Sequence, residues 1–229
     1  MRELPVNYGN QEFFYKHFYE MSRGNLTRGS LSLLWRYPHR VMEKKFRDNT
    51  GKTIVEMGFG FGEHLTFVRK PWKSYVALDI NTRETWKEFE SLDVKCVVAN
   101  AISTGLDENL ADRVIATCLL AHLQNPELAL REWNRVTKRG GVVSIYVPCE
   151  GGIALKMFRK LISERHAAKN GFQGYRLFIL REHINSFQLL NGLIKELFEK
   201  DEVKRKLRPV PWLPWFLNLF CVYEIRVSK

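Results

Sequence analysis

The sequence lacks the marks of several protein classes. Its four cysteines form no CxxC pair and lie near no histidine at the usual zinc-ligand spacing. We therefore expect neither a disulfide framework nor a metal site, and a reducing cytoplasm as the compartment. The longest apolar run near the C-terminus, residues 216–223, is far shorter than the ~20 residues of a membrane span. The first residues are too polar for a signal peptide, so we expect a soluble protein with at most peripheral membrane contact.

What is present is a globular composition with an uneven charge. Hydrophobic residues make up 45% and charged residues 27% of the 229 residues, which suits a sizeable core and excludes a disordered chain or a coiled-coil rod. The formal net charge is +11. Residues 51–150 hold 12 basic and 13 acidic side chains, whereas residues 1–50 hold 9 and 5, and residues 151–229 hold 15 and 7. This distribution predicts an anionic partner that meets the two flanks rather than the middle of the chain.

Short apolar strands alternate with helix-like segments along most of the chain. This alternation predicts an α/β fold, a mostly parallel sheet with helices on both faces. Helices are expected at about 10–22, 30–47, 83–92, 126–138, 153–168 and 182–200. A further helix is expected at 63–69, directly after a glycine loop. Seven strands are expected, at 53–57, 74–78, 95–99, 113–118, 142–147, 203–207 and 217–227.

The most informative motif is the glycine run that follows the first strand. Gly58, Gly60 and Gly62 lie between a predicted strand and a predicted helix, where glycine allows a sharp turn and a close ligand approach. Asp79 ends the next strand, where a carboxylate can accept hydrogen bonds from both hydroxyls of a ribose. The spacing is GxGxG rather than the GxGxxG of dinucleotide folds, which disfavours NAD.

The segment Val55-Glu-Met-Gly-Phe-Gly-Phe-Gly62 resembles motif I of the class I S-adenosylmethionine-dependent methyltransferases. Further likenesses are Asn100 at the adenine-binding position, the strand 112–122, and Gly140-Gly141 before strand five. Many relatives carry Asp where this chain has Asn100, and Asn still offers an acceptor oxygen. The resemblance implies a Rossmann-like seven-stranded sheet and S-adenosyl-L-methionine as cofactor. The implied cofactor-binding residues are Glu56, Gly58, Gly60, Gly62, Asp79, Ile80, Asn100, Ala101 and Cys118.

A second, softer resemblance is to bacterial methyltransferases associated with surface-polysaccharide biosynthesis. It rests on Cys118–Leu123, Pro148-Cys149, His183-Ile-Asn185 and Asn218-Leu-Phe220. It implies O-methylation of an anionic sugar- or phosphate-bearing precursor of capsule or O-antigen. From the order of predicted strands and helices, residues 1–49 are predicted to form a helical lid, residues 50–229 the methyltransferase domain, and residues 151–202 a helical acceptor-side insertion.

Histidines are the candidate catalytic residues, because a hydroxyl acceptor needs a base that works near neutral pH. His122 follows strand four and is the leading candidate, and His183 is the second. The alternative for His122 is packing of the loop or a hydrogen bond to a backbone carbonyl, and the alternative for His183 is an exposed helix residue in a charged segment. The candidate substrate-binding residues come from the lid, strand five and the insertion: Tyr19, His39, Tyr146, Glu150 and Asn185. The basic run 204–208 is expected to hold the anion of the acceptor, although such runs are most often solvated.

Three other functions stay open at this point. A quinone or lipid methyltransferase would work at a membrane face, and the tryptophans at 212 and 215 beside the basic run fit that reading. An RNA methyltransferase fits the charge, but no nucleic-acid-binding module is present, so no nucleic-acid partner is expected. A catalytically silent subunit would bind the cofactor without turning over.

Overall fold

The structure, a computed structural model, describes residues 32–81, 86–169 and 174–229. Within these ranges the chain forms one seven-stranded sheet with helices on both faces. The strands are β1 (Thr53–Met57), β2 (Ser74–Asp79), β3 (Val94–Val98), β4 (Ala111–Thr117), β5 (Thr137–Pro148), β6 (Glu202–Arg208) and β7 (Phe220–Arg226). The α-helices are α1 (Ser32–Glu43), α2 (Trp86–Glu90), α3 (Pro126–Val136), α4 (Ile153–Phe158), α5 (Glu164–Lys169), α6 (Tyr175–Glu182) and α7 (Phe187–Leu197).

The strand order is β3-β2-β1-β4-β5-β7-β6. Strands β1 to β5 are parallel, and β7 runs antiparallel to both β5 and β6. Every residue of β1 is buried, as expected for a central parallel strand that is covered by helices on both faces. The predicted α/β class and the mostly parallel seven-stranded sheet are confirmed.

The two faces of the sheet carry separate apolar cores. On one face α3 and α7 bury Trp133, Leu130 and Leu190 against inward side chains of β4 and β5. On the other face Met42 of α1 packs with Leu65 and other apolar side chains. Side chains of successive strand residues point to opposite faces, so the strands β1 to β5 and β7 contribute to both cores.

The parallel arrangement sets where ligands can meet. Because β1, β2, β3, β4 and β5 run in one direction, their C-terminal ends lie along one edge of the sheet, here called the carboxyl edge. The register pairs Met57 with Leu78 and with Ala116, and Thr117 with Tyr146. Ligands of open α/β sheets bind outside such an edge.

The structure departs from the predictions in the segment after the glycine loop. Residues 63–69 were expected to be a helix, but only a 3₁₀ turn forms, at Leu65–Phe67. Pro71 disfavours helical geometry at the residue before it, and the side chain of His64 turns into the core instead. The helix predicted at 182–200 is present in shorter form as α7, and α6 at Tyr175–Glu182 is an additional helix that the sequence did not predict.

The functional roles of two predicted regions, the insertion and the lid, stay predictions. Residues 151–202 contain the helices α4 to α7, and their role as an acceptor-side insertion stays a prediction. The same holds for the lid at 1–49, of which residues 1–31 lie outside the described residues. The candidate substrate-binding residue Tyr19 and the helix expected at 10–22 are among them.

No helix in the described ranges is long and apolar enough to cross a lipid bilayer.

Candidate active site at the carboxyl edge

The glycine loop turns sharply at the carboxyl end of β1. Gly58, Gly60 and Gly62 have φ values of +71°, +57° and +77°, a region that other residues rarely adopt. A Cβ at Gly62 would come within 2.5 Å of Phe89, so packing also requires glycine there. A Cβ at Gly60 would meet only Glu63, at 3.7 Å, which leaves the space above this glycine open. Gly60 is therefore the position where the loop best admits a ligand.

Asp79 ties this loop to the end of β2. Its Oδ2 accepts a hydrogen bond from the Gly60 N–H at 2.9 Å, and its Oδ1 accepts one from the Asn81 N–H at 3.0 Å. A carboxylate has about four lone-pair sites, so both oxygens can still accept from a ribose. The adjacent Ile80 is 63% exposed, an uncommon position for a large apolar side chain. Ribose binding by Asp79 and a cofactor contact by Ile80 stay predictions.

Asn100 and Ala101 follow β3 at the same edge. The exposed Asn100 accepts a hydrogen bond from the Ile102 N–H through Oδ1 at 3.1 Å. The buried Ala101 accepts one from the Trp133 indole through its carbonyl at 3.0 Å. Both residues thus shape the turn after β3, and their contact with adenine stays a prediction.

Glu56 lies below the glycine loop rather than in it. Its carboxyl is buried and accepts a short hydrogen bond from the Tyr75 hydroxyl. Burial, partly offset by that bond, raises the pKa of Glu56 to about 8, so this group is mostly protonated at neutral pH. A direct cofactor contact for Glu56 stays a prediction, because the described contact is with Tyr75.

The turn after β4 carries two candidate residues. Cys118 has a φ of +61°, and its N–H donates to the Tyr146 carbonyl at 3.0 Å. Its Sγ lies 4.0 Å from His122 Nε2. Burial raises the pKa of Cys118 to about 12, and burial together with nearby His183 lowers the pKa of His122 to about 3. Both groups are therefore neutral at physiological pH.

The insertion brings a charged cluster against this turn. Glu150, just after β5, accepts hydrogen bonds from both terminal nitrogens of Arg159, one of them at 2.6 Å. Glu150 also has a short contact with Nδ1 of His183. Since a carboxylate can only accept, Nδ1 of His183 donates in this contact, and in the neutral imidazole Nε2 then carries the lone pair. Nη2 of Arg159 also lies 3.2 Å from the same Nδ1. The His183 ring lies edge to face with the His122 ring, with centroids 4.6 Å apart.

We call Glu150, Arg159, His183 and His122 the edge cluster. Burial opposes the ionisation of Glu150, but the hydrogen bonds from His183 and Arg159 outweigh it and lower its pKa to about 2. Glu150 is thus a fixed anion at physiological pH. Arg159 was not among the predicted residues, and only its place in the folded insertion reveals it.

Asn185 and Tyr146 support the cluster from either side. The Asn185 amide donates to the carbonyls of Leu120 at 2.9 Å and Leu123 at 2.6 Å. Both amide hydrogens are used, so Asn185 holds the turn that carries His122; an acceptor contact through its remaining oxygen stays a prediction. Tyr146 packs edge to face on Phe220 with ring centroids 5.3 Å apart. Its contact with the acceptor stays a prediction too.

His39 lies in a different group, on the α1 face of the sheet. Its Nδ1 is 2.9 Å from Nδ1 of His64, whose Nε2 is 3.0 Å from Glu43. Arg113 donates two hydrogen bonds to the same carboxylate, at 2.9 and 2.7 Å. We call Glu43, His64, His39 and Arg113 the core cluster. Packing of α1 onto the sheet accounts for His39, and its role as a substrate-binding residue stays a prediction.

The core cluster is neutral except for one ion pair. Burial and the neighbouring His64 lower the pKa of His39 to about 3, and burial also lowers the pKa of His64. Burial opposes the ionisation of Glu43, but the hydrogen bonds from His64 and Arg113 outweigh it and lower the pKa of Glu43 to about 2. Sequence analysis found no role for His64, Glu43 or Arg113, because nothing in their spacing shows that they meet.

The basic run on β6 is already engaged. Lys204 pairs with Glu202, and Lys206 pairs with Glu224. Arg205 donates to Asn191 Oδ1 at 3.0 Å. The structure therefore gives no support to the expectation that these side chains hold an acceptor anion.

Three side chains at the carboxyl edge form an unexpected group. The thiol of Cys118 and one ring nitrogen each of His122 and His183 all lie within 4.8 Å of one another. The expectation that the protein has no metal site stays a prediction, but these three side chains are of the types that bind transition metals. His183 is far from the other two in the chain, so the spacing in the sequence does not reveal the group.

The chain has clear similarities to known proteins. Residues 55–145 match the family model described as a methyltransferase domain. The complex between the Haloferax volcanii Trm112 methyltransferase activator and a methyltransferase is similar at a TM-score of 0.63 and 14% identity, over 94% of this chain and 96% of that one. No curated protein gives a significant sequence match.

Two further solved structures have the same fold. A methyltransferase from Aquifex aeolicus is similar at a TM-score of 0.59 and 17% identity, over 91% of this chain and 97% of that one. One from Thermotoga maritima is similar at a TM-score of 0.58 and 14% identity, over 96% and 98%. At these identities the likeness shows the fold alone.

The domain match, the fold and the glycine loop define the class of this protein. The protein is an S-adenosylmethionine-dependent methyltransferase with S-adenosylmethionine as its cofactor, and the matched methyltransferase domain spans residues 55–145. Which acceptor it methylates is a separate question, for which the edge cluster offers the best clues.

Proposed function

We propose that the protein transfers the methyl group of S-adenosylmethionine to an oxygen atom of a sugar- or phosphate-bearing precursor of a bacterial surface polysaccharide. The observation that carries the proposal is the Glu150–His183 pair beside the turn after β4. A hydroxyl is a weak nucleophile until it loses its proton, and a histidine held by a carboxylate is a common means of removing that proton. An amine acceptor would not need such a base once it is unprotonated.

In this proposal His183 acts as the base and Glu150 orients it. Glu150 holds His183 through Nδ1, so Nε2 is the basic atom. As the acceptor oxygen attacks the methyl carbon, the new C–O bond forms while the C–S bond breaks. The acceptor proton moves to Nε2 of His183, and S-adenosylhomocysteine leaves. S-adenosylmethionine supplies the electrophilic methyl group, while the chain supplies alignment and a partly water-free site.

His183 is preferred over His122 as the base, which reverses the order suggested by the sequence. His183 has an anionic partner that stabilises the imidazolium formed during the reaction. His122 Nδ1 is 4.0 Å from Glu182 Oε2, too far for a hydrogen bond. We assign His122 a binding and packing role against the His183 ring.

The proposed substrate class is supported by where the segments that resemble polysaccharide-associated methyltransferases lie in the fold. Three of the four segments that resemble polysaccharide-associated methyltransferases meet at the edge cluster, because Asn185 holds 118–123 and His183 contacts the residue after Pro148-Cys149. The excess of positive charge in 151–229 suits an anionic acceptor.

A second candidate is a lipid or quinone methyltransferase that works at a membrane face. Large apolar side chains of the insertion and of the loop before β7 are exposed: Ile153, Met157, Leu161, Leu177, Leu180, Ile184 and Trp212. Such side chains beside the edge cluster would favour an acceptor with an apolar tail.

The proposal is tested by a methyl-transfer assay in which the purified protein receives labelled S-adenosylmethionine and a sugar nucleotide, a lipid-linked glycan, a quinone or tRNA. We expect methyl ether formation on a glycan, with turnover lowered about 10² to 10⁴-fold in His183→Ala and S-adenosylhomocysteine affinity unchanged. His166→Ala, on α5 of the same insertion, is the matched control. Undiminished turnover in His183→Ala, or a methylated nitrogen in the product, would contradict the proposal. Cofactor binding without turnover on any acceptor would indicate a silent subunit.

A further inference from the structure

The group formed by Cys118, His122 and His183 has the size of a transition-metal site. Cys118 Sγ and His122 Nε2 are 4.0 Å apart, and all three ligand atoms lie within 4.8 Å of one another. In a tetrahedral zinc site, a sulfur and a nitrogen ligand lie about 3.6 Å apart. A contraction of a few tenths of an ångström to about one ångström would therefore bring the three atoms onto one ion.

The surrounding residues hold these ligands in place. Glu150 binds Nδ1 of His183 and leaves Nε2 for an ion, an arrangement in which a carboxylate orients a metal-binding histidine. Asn185 fixes the turn between Cys118 and His122 through two hydrogen bonds to backbone carbonyls. The ligands thus come from two segments, the turn after β4 and the segment at 183–185, which hydrogen bonds link to each other.

The chemistry of the three ligands selects the kind of ion. One thiol and two imidazoles suit Zn²⁺ and its close analogues, and not Mg²⁺ or Ca²⁺, which prefer oxygen. Three protein ligands leave the fourth tetrahedral position open. The His122 side chain is 26% exposed, so an ion can reach the group from solvent.

We propose that Cys118, His122 and His183 bind a single Zn²⁺ ion, and that this ion inhibits the enzyme. The site itself follows from the geometry, whereas its inhibitory effect rests on the proposed function. An ion on Nε2 of His183 occupies the lone pair that would take the acceptor proton. Metal-bound enzyme is then inactive, and removal of the ion restores the base.

The site is tested with Co²⁺, which replaces Zn²⁺ and is visible by absorption. Titration of the metal-free protein should give one equivalent of bound cobalt, with a thiolate-to-cobalt charge-transfer band and the visible bands of a tetrahedral ion. Cys118→Ser should abolish the charge-transfer band, and Cys96→Ser, on β3, should keep it. His122→Gln, which keeps Cys118, should retain the band at weaker affinity. Glu150→Gln should weaken cobalt binding by about 10- to 100-fold.

Inhibition is measured separately, as the ratio of turnover with and without Zn²⁺ for each variant. The parent and Cys96→Ser should lose turnover as one equivalent of Zn²⁺ binds, and chelation should restore it. Cys118→Ser should require at least about 10-fold more Zn²⁺. Absence of the cobalt charge-transfer band, or its persistence in Cys118→Ser, would overturn the site. A rise in turnover with Zn²⁺ would overturn the inhibitory role. A cobalt site in a protein that methylates no glycan would instead count against the proposed function alone.

Discussion

The core cluster and the edge cluster are built from the same side chains in different surroundings. Each contains one glutamate that accepts hydrogen bonds from two nitrogens of one arginine. In each, one histidine contacts that glutamate, and a second histidine contacts the first histidine. In the core cluster Arg113 is 1% exposed, and in the edge cluster Arg159 is 18% exposed. The side chain of His64 is 0% exposed, whereas that of His122 is 26% exposed.

The lower exposure of the core cluster favours a structural role for it, and the higher exposure of the edge cluster is consistent with the chemical role that we propose there. The core cluster joins α1 to β4, and its members Glu43, His64 and Arg113 are buried, so we expect it to contribute mainly to stability. The edge cluster lies at the carboxyl edge, where we propose that an acceptor reaches His183. Breaking the first should therefore unfold the protein, while breaking the second should stop the reaction.

The largest effect is expected from Arg113→Met. This change leaves the Glu43 carboxylate buried without its cationic partner, which should lower the free energy of unfolding by about 3–5 kcal/mol. Urea denaturation measures it. Arg131→Met, which breaks the exposed pair with Glu127, is the control and should cost less than about 1 kcal/mol. Equal effects of the two variants would contradict a special role for burial.

The pH dependence of stability should reveal Glu43 next. Its pKa is about 2 in the folded protein against an ordinary value of 4.5. Its contribution is therefore complete above pH 4.5 and is lost as the pH falls towards 2; it is on the order of 3 kcal/mol. Denaturation of Glu43→Gln between pH 2 and 6 should show a shallower acid slope than the parent. Parallel curves for the two proteins would mean that Glu43 is not the group that titrates.

The matching change in the edge cluster is Glu150→Gln. It keeps the size of the side chain but removes the anion that orients His183, so turnover should fall by about 10²-fold. The free energy of unfolding should change less than in Glu43→Gln, since the edge cluster is more exposed. Steady-state kinetics should place the loss in kcat rather than in the KM for S-adenosylmethionine. A loss confined to acceptor KM would make Glu150 a binding residue.

The smallest effect is expected from Arg205→Ala combined with Lys206→Ala. Because these side chains already bind Asn191 and Glu224, acceptor KM should change by no more than about twofold. Sequence reasoning had expected these side chains to hold the acceptor anion. A large rise in acceptor KM, together with loss of salt sensitivity, would restore that expectation and place the anion site on β6.

The cofactor side of the fold could be predicted because its signals are local. A strand, a glycine run and Asp79 at the next strand end are close in the sequence, and each has a backbone reason for its residue type. The core cluster could not be predicted, and of the edge cluster the sequence indicated His122, His183 and Glu150 as candidates but neither Arg159 nor the contacts among them. Glu43 meets Arg113, and Glu150 meets His183, only after the sheet has formed, and periodicity records no such distant pairs.

The two hydrogen bonds from Asn185 to the turn after β4 have a consequence for motion. Since they link the start of α7 to the segment that bears His122, the insertion cannot swing away without also freeing that turn. The two segments then open as one cooperative unit, and their backbone amides exchange with solvent together. Exit of a methylated product and loss of the alignment of His122 would be a single event, with one rate.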